Sequence, residues 1–162
     1  MDFEDLVRTH AAGLFRYAFW LSRERHRAED VVQEALLRGW RAFPRLRERA
    51  AAKAWLYSIV RNEYLRSVRQ NRVHAESLDG IDVPDERPDV IGLEMREALM
   101  ALPASYAEPL ALQVLGGFSC AEIAEMLETT EGAAMTRLSR ARQALKRLIA
   151  PAGAMERKGG RP

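Results

Sequence analysis

Ser119-Cys120-Ala121-Glu122-Ile123-Ala124-Glu125-Met126-Leu127-Glu128-Thr129-Thr130-Glu131-Gly132-Ala133-Ala134-Met135-Thr136-Arg137-Leu138-Ser139-Arg140-Ala141-Arg142 holds two helix starts in close succession. Ser119 and Glu122 fit a capping box, in which a hydroxyl and a carboxylate each satisfy the other's free amide donor. Thr130, just before Glu131, opens a longer helix expected to run to about Ile149. Ile123, Ala124 and Leu127 form the packing side of the first helix, and Ala134 and Leu138 that of the second. Ala124 is small where the two must cross closely. A short helix, a tight turn and a longer basic helix make a helix-turn-helix. The outward positions of the last helix are Met135, Thr136, Ser139, Arg140, Gln143 and Arg147, with Arg137 and Arg142 flanking them. That set mixes side chains suited to base edges with others suited to phosphates. A lone amphipathic helix of this composition is ordinarily a solvated surface; the capped helix and turn before it favour a DNA reader.

Outward from this motif the helical pattern continues. Gly116-Gly117 supplies the turn before Ser119, and Ser105 with Glu108 fits a second capping box. Four helices are predicted here, at about 92–101, 106–115, 119–127 and 131–149. The tail, 151–162, has the glycines and scattered charge of a disordered end. Near the N-terminus, Phe3, Leu6, Val7, Leu14, Phe15, Ala18 and Leu21 recur at three- and four-residue steps, the spacing of one helix face. A second helix is predicted from about Ala28 to Phe43, with Val32, Leu36, Trp40 and Phe43 in one stripe and Glu29 and Asp30 in a first turn whose dipole favours acids. Pro44 ends it, and Pro44–Arg49 reads as a surface loop. A third helix runs from about Ala51 to Asn71, with Trp55, Ile59, Asn62, Leu65 and Arg66 along one side. The three tryptophans fall at helical spacing and are expected mainly in the core. No strand signal occurs.

Charge divides the chain as the periodicity does. Residues 1–72 carry 15 Lys/Arg against 9 Asp/Glu, residues 73–95 carry 1 against 7, and residues 96–162 carry 9 against 7, giving balances of +6, −6 and +2. From Val73 the helical period lapses, and Ser77, Gly80, Pro84 and Pro88 punctuate an aspartate-rich stretch of linker composition. The layout is two small helical domains, 1–72 and 92–150, joined by a flexible acidic linker at 73–91. Of 25 basic residues only Lys53, Lys146 and Lys158 are lysines. Arginine is the better fork for phosphates and guanine edges, although GC-rich coding gives the same bias.

With 162 residues, 48% apolar and 30% charged, the chain can bury a core and is not a disordered tail. No apolar run exceeds five residues, so no membrane-spanning helix is expected. The N-terminus is acidic where a secretory signal would be basic and then apolar, so a cytoplasmic protein is expected. The single cysteine, Cys120, cannot build a disulfide framework and reads as a buried, inert thiol. His10, His26 and His74 share no ligand spacing, so no metal site is expected. No phosphate loop, nucleophile elbow or catalytic carboxylate pair is present, so no catalytic residues, no cofactor and no enzymatic activity are expected.

Three segments together resemble a known family. Ala28-Glu29-Asp30-Val31-Val32-Gln33-Glu34-Ala35, followed by Leu37-Arg38-Gly39-Trp40, is similar to the polymerase-binding helix of the extracytoplasmic-function sigma factors of the sigma-70 class. Ala54-Trp55-Leu56-Tyr57-Ser58-Ile59-Val60-Arg61-Asn62 is similar to that family's promoter-melting helix. Leu102-Pro103, Ile123-Ala124, Glu131-Gly132 and Arg137-Leu138-Ser139-Arg140-Ala141-Arg142 resemble its upstream-element reader. The resemblance spans residues 5–148 and implies an all-α protein made of a sigma region 2 bundle and a sigma region 4 helix-turn-helix. It implies a factor that directs core RNA polymerase to promoters, contacting the β′ clamp helices and the β flap, and held by an anti-sigma factor.

By position, the resemblance assigns core polymerase binding to Asp30, Gln33, Glu34 and Arg38. It assigns the −10 element to Arg47, Arg61, Asn62, Arg66 and Arg69, and the −35 element to Met135, Thr136, Arg137, Ser139, Arg140 and Arg142. The residues themselves are compatible: Asp30, Gln33 and Glu34 share one helical face, and Arg61, Arg66, Arg69 and Arg72 could track a phosphate backbone. Asn62 stands where the family holds a flipped −10 base, with Leu46 and its arginines as part of the pocket. Two positions depart from the pattern. Glu128 replaces the usual turn glycine, costing on the order of 1 kcal/mol if its φ is positive. Met135 replaces a basic residue, so promoter preference is expected to differ. A decoy that occupies an anti-sigma factor and a simple helix-turn-helix regulator are the competing readings. The arginines around Asn62 argue against the first, and the acidic face at 30–34 against the second.

Overall fold

The computed structural model describes residues 2–71 and 93–149, which fall into two compact units. The first contains α1 (Phe3–Ser22), α2 (Arg25–Ala42) and α3 (Ala52–Asn71), with short 3-10 turns at Phe43–Arg45 and Arg49–Ala51 between the last two. The second contains α4 (Leu93–Ala101), α5 (Ala104–Gly116), α6 (Cys120–Met126) and α7 (Glu131–Ile149). There is no strand among the described residues. The expected linker, 73–91, and tail, 151–162, lie outside the described residues.

Each helix of the first unit packs on the other two. Asp2 caps α1, accepting the Asp5 amide at 2.8 Å, while the Asp5 carboxylate accepts the Asp2 amide at 3.3 Å. Arg23 ends α1 at φ 58°, returning its amide to the Phe19 carbonyl. That tight reversal lets α2 begin at Arg25, three residues earlier than expected, so Glu29 and Asp30 do not occupy its first turn.

The buried stripe of α2 is Ala28, Val31, Ala35 and Gly39. It lies one step round from the expected stripe, of which Phe43 is buried, Val32 and Leu36 are half-buried, and Trp40 is exposed. The cause is close approach. A Cβ on Gly39 would stand 3.2 Å from the Leu56 side chain and 3.2 Å from the Phe3 ring, so the small-residue side must face inward. The expectation of a mainly core Trp40 is thereby overturned. On α3 the core face is Ala52, Leu56, Tyr57 and Val60. Trp55 and Ile59 are half-buried, whereas Asn62, Leu65 and Arg66 are exposed. Leu6, Leu14 and Tyr17 complete the core from α1, each large side chain contributing about 1.5–3 kcal/mol of burial. Burial also pushes the Tyr57 phenol above its ordinary pKa, with Arg16 opposing.

In the second unit the capping box of Ser119 and Glu122 forms, at 2.9 and 3.2 Å. The Ser105–Glu108 box does not: α5 starts at Ala104 behind Pro103, which leaves Ser105 inside the helix rather than at its cap. Gly117 terminates α5 at φ 70°, its amide reaching the Gln113 carbonyl at 3.0 Å. The Phe118 amide reaches Leu112 at 3.3 Å and brings the buried Phe118 ring against Gly116. Ala134, Leu138 and Ala141 bury one side of α7, which packs on α5 and α6. Ile123, Ala124 and Met126 supply the α6 side; Leu127 is only half-buried, as is Cys120, against the expectation of a buried thiol.

The α6–α7 turn places Glu128 at φ 54°, the conformation that a glycine would occupy without strain. Glu128→Gly is therefore expected to stabilise the second unit by about 0.5–1 kcal/mol. An unfolding midpoint in urea measures it. A midpoint unchanged or lowered would mean that the glutamate gains elsewhere what the backbone loses.

Candidate functional site

Three surfaces collect the polar residues singled out in the sequence. On α7, Thr130 caps the start by accepting the Ala133 amide at 3.1 Å. Met135, Thr136, Ser139, Arg140 and Gln143 then line one shallow, solvent-open hollow. All five are exposed, while Arg137 is half-buried. The Thr136 hydroxyl donates back to the Gly132 carbonyl at 3.0 Å, so its hydrogen is already used and its oxygen can only accept. Arg140 makes no ion pair among the described residues. Arg142 instead hydrogen-bonds the Gln113 side chain of α5. It leans toward the rest of the unit rather than standing with Arg140.

The second surface is the outer side of α2. Asp30 and Gln33 are exposed, and Asp30 has no ion pair among the described residues. Glu34 pairs with Arg38 at 3.5 Å. Arg38 also forms an ion pair with Glu63 of α3, which is 7% exposed and further paired with Arg66 at 3.9 Å. So Arg38, expected on the binding face, keeps a side chain 39% exposed while it also ties α2 to α3. What stands free beside Asp30 and Gln33 is apolar: Leu37 is 50% exposed and Trp40 65%. At steps of three and four residues, these share one side of the helix. Two large apolar side chains so exposed on one side of a helix form an apolar patch suited to a partner.

The third surface surrounds the loop before α3. Phe43 is sandwiched between Phe3 and Trp55, with ring centroids at 5.4 and 6.2 Å, and the Arg49 guanidinium lies 4.0 Å above its ring. A cation over an aromatic face contributes roughly 0.5–1 kcal/mol where it remains solvated. These contacts pin both ends of the loop and leave Arg47 exposed and Leu46 half-buried between them. Asn62 and Arg69 are exposed along α3, and Arg61 is half-buried. Arg66 is shared with Glu63, and Arg72 lies outside the described residues.

Sequence reasoning missed Leu37 and Trp40 as surface and Glu63 as the buried anion. The first two were legible in principle, because Ala28, Ala35 and Gly39 mark the side that another helix can approach. No local signal announces Glu63.

Residues 6–73 match Sigma-70 region 2, and residues 92–145 match Sigma-70, region 4. The chain is 34% identical over 150 residues to the ECF RNA polymerase sigma factor SigM of Mycobacterium tuberculosis, covering 91% of this chain and 76% of that protein. It is 36% identical over 151 residues to SigL of the same organism, another ECF RNA polymerase sigma factor, covering 87% and 85%. Among solved structures it is similar to the sigma factor RpoE of Bartonella quintana in complex with the anti-sigma factor NepR. There the TM-score is 0.79 at 28% identity, with 91% of this chain and 96% of that one covered.

Proposed function

The chain belongs to the extracytoplasmic-function sigma factors of the sigma-70 family, and from that premise we propose how its surfaces divide the work of initiation. Residues 1–72 act as region 2 and residues 92–150 as region 4. The outer side of α2 docks on the clamp helices of core RNA polymerase through Trp40 and Leu37, with Asp30, Gln33 and Glu34 around them. Arg38 borders that side and ties it to α3 through Glu63. The loop residue Arg47, with Arg61, Asn62, Arg66 and Arg69, receives the −10 element. The exposed side of α7 enters the major groove at the −35 element. A sigma factor guides a catalyst and performs no bond chemistry itself, so the chain is not an enzyme. No described helix is long and apolar enough to cross a membrane, and the cytoplasm is where its polymerase works.

One observation carries this reading over a simple DNA-binding regulator: the exposed Leu37 and Trp40 beside Asp30, on the unit that does not contain the helix-turn-helix. A regulator of the helix-turn-helix kind has no use for them. An anti-sigma protein, such as the one bound to the Bartonella relative, would cover these faces. The direct test is multi-round transcription with purified core polymerase and genomic promoter fragments. New, specific start sites are expected. Their absence would leave a simple regulator if the chain still binds promoter DNA, and a decoy if it does not.

Within α7 the arginines separate. Arg140→Ala is expected to relax base preference at one or two −35 positions, costing roughly 1–3 kcal/mol there. Arg142, tethered to Gln113, presents its charge to the backbone. Its alanine variant weakens binding evenly across sequences and flattens the salt dependence by about one unit of slope. Titrating both against single-base −35 variants at two salt concentrations separates them. Identical, uniform losses would move base reading to Thr136 and Ser139.

A further inference from the structure

Met135 is the one large apolar side chain in the α7 hollow, and it is 55% exposed. Its neighbours there are polar: Thr136, Ser139, Arg140 and Gln143. The core of the unit does not use it, since Ala134, Leu138 and Ala141 already bury the inner side of the helix. Nor does Met135 supply charge to a phosphate. At 100° per residue, Met135 and Arg140 stand about 140° apart around the helix, at opposite edges of the exposed face. They therefore meet different base pairs in a groove. Met135 also lies in the first half of the helix, the part that reaches base edges in this motif. Beside it, Thr136 has its hydroxyl hydrogen committed to Gly132 and turns only an acceptor and a methyl outward. The N-terminal edge of the reading face is thus poor in donors and rich in methyl and thioether surface.

The major groove offers one apolar feature to such an edge, the C5-methyl of thymine. Resting on the proposed −35 reading by α7, we propose that Met135 is a specificity-determining residue that selects a thymine by packing its thioether on that methyl group. The thymine belongs to a base pair distinct from the one Arg140 reads. No other base presents a methyl there, and the thioether is only a weak acceptor for the amino donor that cytosine presents instead.

Replacing thymine by deoxyuridine removes that methyl and nothing else. Duplexes would first be selected from a −35 library by the complete holoenzyme, the chain with core polymerase. Each thymine of the selected element would then be changed singly to deoxyuridine. Burial of one methyl group predicts about a fourfold loss of holoenzyme affinity at one position. Met135→Ala should bind the thymine and deoxyuridine duplexes equally, Met135→Leu should keep the discrimination, and Arg140→Ala should keep it too. Exposure of Met135 makes misfolding of these variants an unimportant route to the result, and helicity with the unfolding midpoint of each variant checks it. The proposal fails if wild-type holoenzyme selects a −35 sequence yet ignores every methyl. It also fails if Met135→Ala still discriminates as the wild type does. A holoenzyme that selects no −35 sequence at all overturns the α7 reading itself, a separate outcome visible at the selection step.

Discussion

Trp40→Ala is expected to weaken the complex with core RNA polymerase by about 2–3 kcal/mol, roughly 30- to 150-fold in Kd. The indole is 65% exposed on α2 and Leu37 beside it 50%, so the three-helix unit leaves this apolar surface unburied. A partner that covers it recovers the transfer energy of a large aromatic, which is why truncated tryptophans so often dominate interface energetics. Substitution of so exposed a side chain should alter stability by no more than about 0.5 kcal/mol. Asp30→Lys should act differently. A reversed charge at the rim slows association and raises salt sensitivity more than it speeds dissociation. Binding of labelled core polymerase to each variant, with helicity and unfolding midpoint checked in parallel, measures both. Wild-type core affinity for a folded Trp40→Ala chain would move the interface off α2. DNA binding through α7 should be unaffected in either variant.

Arg38→Ala should show the opposite signature, a loss of stability by about 2–3 kcal/mol in the unit formed by α1, α2 and α3. Glu63 is 7% exposed, and Arg38 is among its ion-pair partners, alongside Arg66 at 3.9 Å. Removing one member of a buried pair strands the other charge, a penalty of about 3–5 kcal/mol when burial is complete. Here the Arg38 side chain is 39% exposed and Arg66 remains close, so solvent and the second arginine reduce the loss. Glu63→Gln keeps the shape and removes the stranded anion, so the double variant Arg38→Ala with Glu63→Gln should recover part of the stability. Urea unfolding of the single and double variants forms the cycle. If Arg38→Ala unfolds like the wild type yet binds core polymerase poorly, Arg38 acts at the interface, as its position in the motif first suggested.

The existence of most helices was readable from local chemistry, because helix starts, stops and periods depend on residues within a turn or two. Ser119 with Glu122, Thr130 before Glu131, and Gly117 after α5 each satisfy helix-end groups close by in the chain. The same locality put Thr136, Ser139, Arg140 and Gln143 on one exposed side of α7. Local chemistry failed at Ser105, where Pro103 brought the helix start forward, and at α2, where the reversal at Arg23 did the same.

Which side of a helix faces the core is a different kind of question. On α2 the pattern of large apolar residues pointed to Trp40, but burial follows how near another helix can come. Gly39, against Leu56 and Phe3, permits a close approach. That condition involves side chains of α1 and α3, and no window along α2 contains it. The same holds for the charges. Arg38 meets Glu63 across the bundle, and Arg142 meets Gln113 across 29 residues of chain. The sequence by itself determined an all-α chain with a capped helix-turn-helix in its second unit, since periodicity and capping are short-range. Only the tertiary structure decided that Trp40 and Leu37 are free for a partner while Arg38 and Arg142 are held in place. Desolvation and close packing act between elements that are neighbours in space and distant in the chain.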